Sequence, residues 1–390
     1  MITLIQGGDV YAPEYLGKKD ILITGSSIAA IVEPGKVNIK GVPFEILSAE
    51  GQTVVPGFID SHVHILGGGG EGGPSTRAPE IRMEDIVESA VTTVFGCLGT
   101  DGTTRHMESL LAKAFGLEKE GINTWIFSGS YRVPPVSLTG SVRSDLILIE
   151  KVIGAGEIAV SDHRSSQPTF TEFIKLAADC RVGGMLGGKA GILHCHMGSG
   201  SRKMEYFYRL LAETEIPVTQ LIPTHTNRNQ DLLEDAVSFM RSGGYADLTA
   251  ELDPADEEDQ VSVASSIRFL RSRDIPLTQI TISSDSNGSL PVFDAKGNLT
   301  GLAIATEKSL LSNFRHLVHT GVLPIEEALL PFCTNAAEFY HLKGKGKLAA
   351  GFDADLICLD RGLNLVNSMI RGQIMLREGD LFKKGTFSNK

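Results

Sequence analysis

The chain has 390 residues, with 36 basic against 47 acidic side chains and a formal net charge of −11. That length can bury one large core beside a small second domain without disulfide staples. The acidic balance and the lack of a basic run or aromatic–basic stripe exclude a nucleic-acid surface. Scattered, odd-numbered cysteines with no C-x-x-C pair, no basic segment ahead of Lys18 and no apolar run near the ~20 residues of a membrane span predict a cytoplasmic protein with no membrane partner.

From the N-terminus to residue 55, short alternating β-rich pieces (Ile2–Ile5, Asp20–Ile23, Ile28–Val32, Phe44–Leu47, Thr53–Val55) are separated by Gly, Pro, Asn and Lys turns and read as strands. From residue 56 the pattern changes. Apolar strand-like runs now end in polar residues: Gly57 to His64, Gly191 to His196, Leu221 to His225, Ala246 to Thr249 as a seventh strand, and Thr281 to Asp285. Between them lie amphipathic stretches of helical length. In Asn229–Ser242, Leu233, Ala236, Val237 and Met240 share one face, and Gly243-Gly244 supplies the stop. The acidic cluster Glu251–Asp259 reads as a solvated loop. From Lys347 the β character returns in Ala354–Leu359, Leu365–Val366, Ile374–Leu376 and Gly385–Phe387.

Strands alternating with helices predict parallel βαβ units, and metal-ligand residues at successive strand ends place a site on the C-terminal face of a barrel. The expected fold is α/β: a (β/α)8 TIM barrel over residues 56–346, with a small β-sandwich domain formed by both termini, 1–55 and 347–390.

His62 and His64 carry the most chemistry. Side chains alternate along a strand, so a His-x-His pair at a strand end points both imidazoles one way, as a borderline-soft divalent ion such as Zn²⁺ requires. Gly67–Gly73 is not followed by Gly-Lys-Ser/Thr and reads as a mobile loop rather than a phosphate cradle. The remaining histidines, His106, His163, His194, His316, His319 and His341, read as structural or surface residues.

Pro56 to His64 together with Gly351-Phe352-Asp353-Ala354-Asp355-Leu356 resembles the amidohydrolase superfamily. Four more specific segments, His64 to Pro74, Ser161-Asp162-His163-Arg164-Ser165, Pro223 to Asn229 and Ser283 to Ser289, resemble its isoaspartyl (β-aspartyl) dipeptidase family over essentially the whole chain. The resemblance implies a binuclear metallohydrolase with two divalent ions, Zn²⁺ expected, cleaving a small dipeptide through a shared water activated as hydroxide. It implies His62, His64 and Asp285 as ligands of the more buried ion and His196 and His225 as ligands of the other. Asp285 is also implied as general base and acid, and Tyr131 as donor to the oxyanion.

The family's bridging carboxylated lysine is replaced by Glu157, whose carboxylate has the same charge and two oxygens on a shorter arm. For a substrate with one ammonium and two carboxylates, Glu71 faces the ammonium and Arg164 and Arg228 the carboxylates, with Thr100 and Ser289 adding hydrogen bonds. The resemblance further implies a homo-oligomer, an octamer in this family. A deacetylase or cyclic-amide hydrolase using the same ions is the alternative, and a metal-free scaffold protein the third reading.

Overall fold

The computed structural model describes residues 1–254, 261–293 and 298–388. Eight parallel strands carry the site: β1 (Phe58–Val63), β2 (Val91–Gly96), β3 (Asn123–Ser128), β4 (Val152–Val160), β5 (Ile192–Met197), β6 (Leu221–Thr224), β7 (Ala246–Thr249) and β8 (Ile280–Ser283). All their residues but the half-buried Trp125 of β3 are buried, and the strands read as near-continuous apolar runs because helices cover one side and packed side chains the other. β1 to β6 form one curled sheet in sequence order, and β7 pairs with β8. Hydrogen bonds span the joints between these sheets: Thr226 N–H to Asp247 O at 3.1 Å and His64 N–H to Ser286 O at 2.8 Å.

A helix follows each strand: α1 (Met83–Val87), α2 (Met107–Glu120), α3 (Val142–Leu148), α4 (Phe170–Gly187), α5 (Glu205–Glu213), α6 (Gln230–Arg241), α7 (Val263–Ser272) and α8 (Lys308–His319). α6 illustrates the local logic. Asn229 caps it by accepting from Leu232 N–H at 2.8 Å, and Leu233, Ala236, Val237 and Met240 are buried as their spacing requires. α4 is started by a capping box in which Thr169 and Glu172 exchange hydrogen bonds, and it stops at Gly188 in the left-handed conformation.

Both termini enter one nine-stranded sheet. Its seam is the antiparallel pairing of Leu356–Leu359 with Thr53–Pro56, which leads straight into β1. Ile5, Val10, Ile21, Ile23, Val54, Leu356, Cys358 and Met369 form its buried core. Two expectations are corrected. Gly385–Phe387 is not a strand; it lies in a terminal turn whose backbone is held by Glu84 and Glu120. Glu251 is buried rather than solvated, because its carboxylate accepts from Val263 N–H at 3.1 Å at the start of α7. The cluster's residues from 255 onward lie outside the described residues.

Candidate metal centre and active site

Four imidazoles and two carboxylates converge at the C-terminal ends of the parallel strands. His62 is on β1, with His64 one residue beyond its end, Glu157 on β4, His196 on β5, and His225 and Asp285 just past β6 and β8. All are buried, Glu157 to 1% exposure. His225 and Asp285 sit at φ of 58° and 53°, left-handed conformations that non-glycine residues rarely take and that cluster at functional sites.

Glu157 lies among the histidines. Its Oε1 is 3.4 Å from His64 Nε2, while its Oε2 is 3.4 Å from His62 Nε2, 3.0 Å from His196 Nδ1 and 3.7 Å from His225 Nε2. Asp285 Oδ1 is 3.0 Å from His64 Nε2 and 3.4 Å from His62 Nε2. A bulge explains how a short glutamate gets there. Leu193 pairs with Ala155 but Cys195 with Ile158, so β4 carries one more residue than β5 between the two pairs. A bulge of this kind bends the strand and re-aims a side chain. Gly156 permits it, since a Cβ there would meet His194 Cβ at 2.9 Å.

These contacts are short, yet His62 Nε2, His225 Nε2 and Asp285 Oδ1 are buried without a properly directed hydrogen bond. Orphaned buried polar atoms are costly unless something unites them. Nitrogen and carboxylate donors pointed at common centres, rather than at one another, fit divalent metal ions. Three overlapping groups have donor atoms all within 4.8 Å: His62, His64, Cys97 and Glu157; His62, His225 and Asp285; Glu157, His196 and His225.

The far nitrogens of the rings are held from behind. His62 Nδ1 is 2.7 Å from His194 Nε2, and His194 Nδ1 is 3.1 Å from the Tyr340 hydroxyl, with the His194 ring stacked on Phe127. His225 Nδ1 is 2.6 Å from Thr249 Oγ1. Such outer contacts fix ring orientation and leave Nε2 free for a metal. His194, structural by its sequence, is thus structural in support of His62. His106, His163, His319 and His341 are exposed.

The electrostatics favour cations. Burial alone would raise the Asp285 carboxyl, but the close imidazoles of His62 and His64 hold it far below the usual carboxylate range. Burial would likewise raise Glu157, and the charges of His62 and His196 hold it well below. His225 goes the other way, down to about 3, through burial and the neighbouring His196.

The substrate-side residues gather beside this centre. Glu71 accepts from Thr100 Oγ1 at 2.7 Å and Ser289 Oγ at 3.0 Å, and lies 3.6 Å from Arg164 Nη1. Thr100 and Ser289, expected to contribute hydrogen bonds, spend them on orienting Glu71. The Gly67–Gly73 loop is tied down by Arg105, whose guanidinium donates to Gly68 O at 2.6 Å and Gly69 O at 3.1 Å. Arg228 donates its Nε to Met197 O at 2.7 Å, and its terminal nitrogens have no hydrogen-bond partner among the described residues. The Tyr131 hydroxyl is 2.9 Å from His196 Nδ1. Asp162, unassigned from sequence, clamps Arg164 through Nε at 3.1 Å and Nη2 at 2.9 Å and lies 3.1 Å from His196 Nε2. Its place in the Ser161–Ser165 segment was the available signal.

Buried strand-end histidines and carboxylates on this α/β scaffold define an amidohydrolase-type site. The amidohydrolase family model matches residues 260–375. The solved beta-aspartyl dipeptidase of Fervidobacterium islandicum AW-1, in complex with β-Asp-Leu, is 45% identical, with 99% of each chain covered and a TM-score of 0.94. The dihydropyrimidinase of Brevibacillus agri shares the fold at 15% identity and a TM-score of 0.67, with both chains fully covered. The adenine deaminase of Bacillus licheniformis is 25% identical over 95% of this chain, which spans only 57% of that relative's length. The chain belongs to the beta-aspartyl dipeptidase family of the amidohydrolase superfamily.

Proposed function

We propose that this protein is a metal-dependent dipeptidase that hydrolyses β-aspartyl dipeptides. The observation that carries the reading is the charge arrangement beside the buried cluster: one oriented carboxylate, Glu71, with the guanidiniums of Arg164 and Arg228. That set complements one ammonium and two carboxylates, and the Fervidobacterium relative was solved with β-Asp-Leu bound. The cyclic-amide and deacetylase alternatives draw on relatives that are at most 24% identical over most of this chain, against 45% for the Fervidobacterium protein.

Two divalent ions, zinc best matching the nitrogen and carboxylate donors, would be held by His62, His64 and Asp285 and by His196 and His225, with Glu157 between them. When bound, such ions lower the pKa of a shared water and polarise a carbonyl. Asp285 takes the proton of the attacking water on its carboxylate and passes it to the leaving amine. Tyr131 turns its phenol O–H to the developing oxyanion, and burial keeps that proton in place by raising the phenol well above its ordinary range. Arg164 and Arg228 fix the carboxylates, with Asp162 holding Arg164 in register.

The proposal includes a closed (β/α)8 barrel over residues 56–346 beside a terminal β-sandwich of 1–55 and 347–390, supported by the hydrogen bonds that link β6 to β7 and β8 to β1. It includes a homo-oligomer, supported by Met185 and Leu186 on α4, 64% and 68% exposed. A reducing, cytoplasmic setting is supported by five unpaired buried cysteines. No helix among the described residues is long and apolar enough to cross a membrane. Elemental analysis of the active protein should find two transition-metal equivalents per chain, and chelation should abolish hydrolysis of β-Asp-Leu. Active protein free of transition metal would end this reading.

A further inference from the structure

The buried centre contains a donor that none of the roles above uses. Cys97 follows directly on the end of β2, and its backbone N–H donates to Val63 O at 3.0 Å, which locks it beside the His-x-His strand. Its thiol is 1% exposed. Sγ lies 3.8 Å from His64 Nδ1 and 3.6 Å from Val63 O. It joins the donor atoms of His62, His64 and Glu157 in a set of four that all lie within 4.8 Å of one another. Cys180, Cys195, Cys333 and Cys358 are in no such group among the described residues.

The cysteine does not stand alone, because His62, a member of the same set of four, has its Nε2 buried without a hydrogen-bond partner. Charge points the same way. Glu157 and Asp285, both buried, supply only two negative charges against two dications. Two nitrogens, one sulfur and one oxygen are also a donor set that zinc accepts in tetrahedral geometry.

We propose that Cys97 is a thiolate donor to the more buried cation. The inference rests on the metal-centre reading above and adds a ligand to it. On loading, the S–H bond breaks and a sulfur–metal bond forms, and the proton leaves to water, with no change of oxidation state. The thiolate supplies a third protein negative charge, within 4.8 Å of the Glu157 carboxylate.

Cobalt(II) reports the bond directly, because a thiolate bound to it gives a near-ultraviolet charge-transfer band, whereas histidine and carboxylate ligands give only weak visible bands. The metal-free protein is titrated with Co²⁺, and its spectrum is compared with that of Cys97→Ser. The wild-type protein should show both features. Cys97→Ser should keep the visible bands, lose the charge-transfer band and bind Co²⁺ at least about tenfold more weakly in chelator competition. Visible bands without a charge-transfer band in the wild-type protein would overturn the assignment and leave the metal centre intact; Cys97 would then only orient His64 through Nδ1. A charge-transfer band that survives in Cys97→Ser would also overturn it. Failure of the wild-type protein to bind cobalt at all would overturn both the assignment and the metal-centre reading.

Discussion

Replacing Glu71 by glutamine keeps the side chain's shape and removes its charge, which isolates the recognition of the substrate ammonium. The Glu71 side chain is 10% exposed and already held by Thr100 and Ser289, so water cannot easily stand in for the lost charge. Removing one partner of a buried charge pair costs ~2–5 kcal/mol, about a 30- to 5,000-fold loss of kcat/KM on β-Asp-Leu. Thr100→Val removes one hydrogen bond to the carboxylate and should cost less, ~1.5–3 kcal/mol or about 10- to 150-fold.

The assay compares kcat/KM on β-Asp-Leu with that on N-acetyl-β-Asp-Leu. The wild-type protein should strongly prefer the free amine, and Glu71→Gln should erase most of that preference. The pH profile gives a second sign. Above the pKa of the substrate amine the ammonium is lost, so wild-type kcat/KM should fall, while the Glu71→Gln profile should flatten there. If wild-type protein cleaved the acetylated dipeptide as well as the free one, Glu71 would not be the ammonium partner.

Glu157→Gln should lower the metal content of purified protein, since an amide brings no charge to the centre. Metal-free wild-type protein should regain full activity with metal in CO₂-depleted buffer, and a bicarbonate requirement would refute the glutamate-for-carbamate exchange. Asp285→Asn should nearly abolish turnover and exceed the effect of Tyr131→Phe, which removes one oxyanion donor at ~2.7–4 kcal/mol; single-turnover rates would reverse that order if the roles are wrong. Burial raises the Asp101 carboxyl, but hydrogen bonds from Thr104, Thr103 and Arg77 together outweigh it and bring the group down to about 2. A depressed carboxyl stabilises the fold above its unfolded value and loses that contribution as pH falls through its folded one. Asp101→Asn should therefore lower Tm at pH 7, with the gap to wild type closing between about 4 and about 2; a gap unchanged by pH would contradict it.

The strand ends bearing His62, His64, His196, His225 and Asp285 could be read from sequence because each closes an apolar run, and strand alternation fixes which way its side chain points. α6 was legible from Asn229 and its apolar spacing. What could not be read depends on pairing register or contacts across the fold. The reach of Glu157 is resolved by a bulge defined only when β4 is laid against β5. Asp162, Arg105 and His194 act through Arg164, the loop carbonyls and His62, partners between 2 and 132 residues away. Glu251 reads as one acid among many because the helix N-terminus it satisfies, at Val263, is 12 residues further along the chain.

The most direct test of the central claim is the ratio of kcat/KM for β-Asp-Leu to that for α-Asp-Leu on metal-replete protein. The two isomers have the same atoms and charges and differ only in which carboxyl forms the peptide bond, so the ratio reads the geometry of Glu71, Arg164 and Arg228 around the cluster. The account predicts a preference for the β-linked isomer of at least about a hundredfold, ~2.7 kcal/mol at the transition state. Equal cleavage of the two isomers, or hydrolysis of neither, would contradict it.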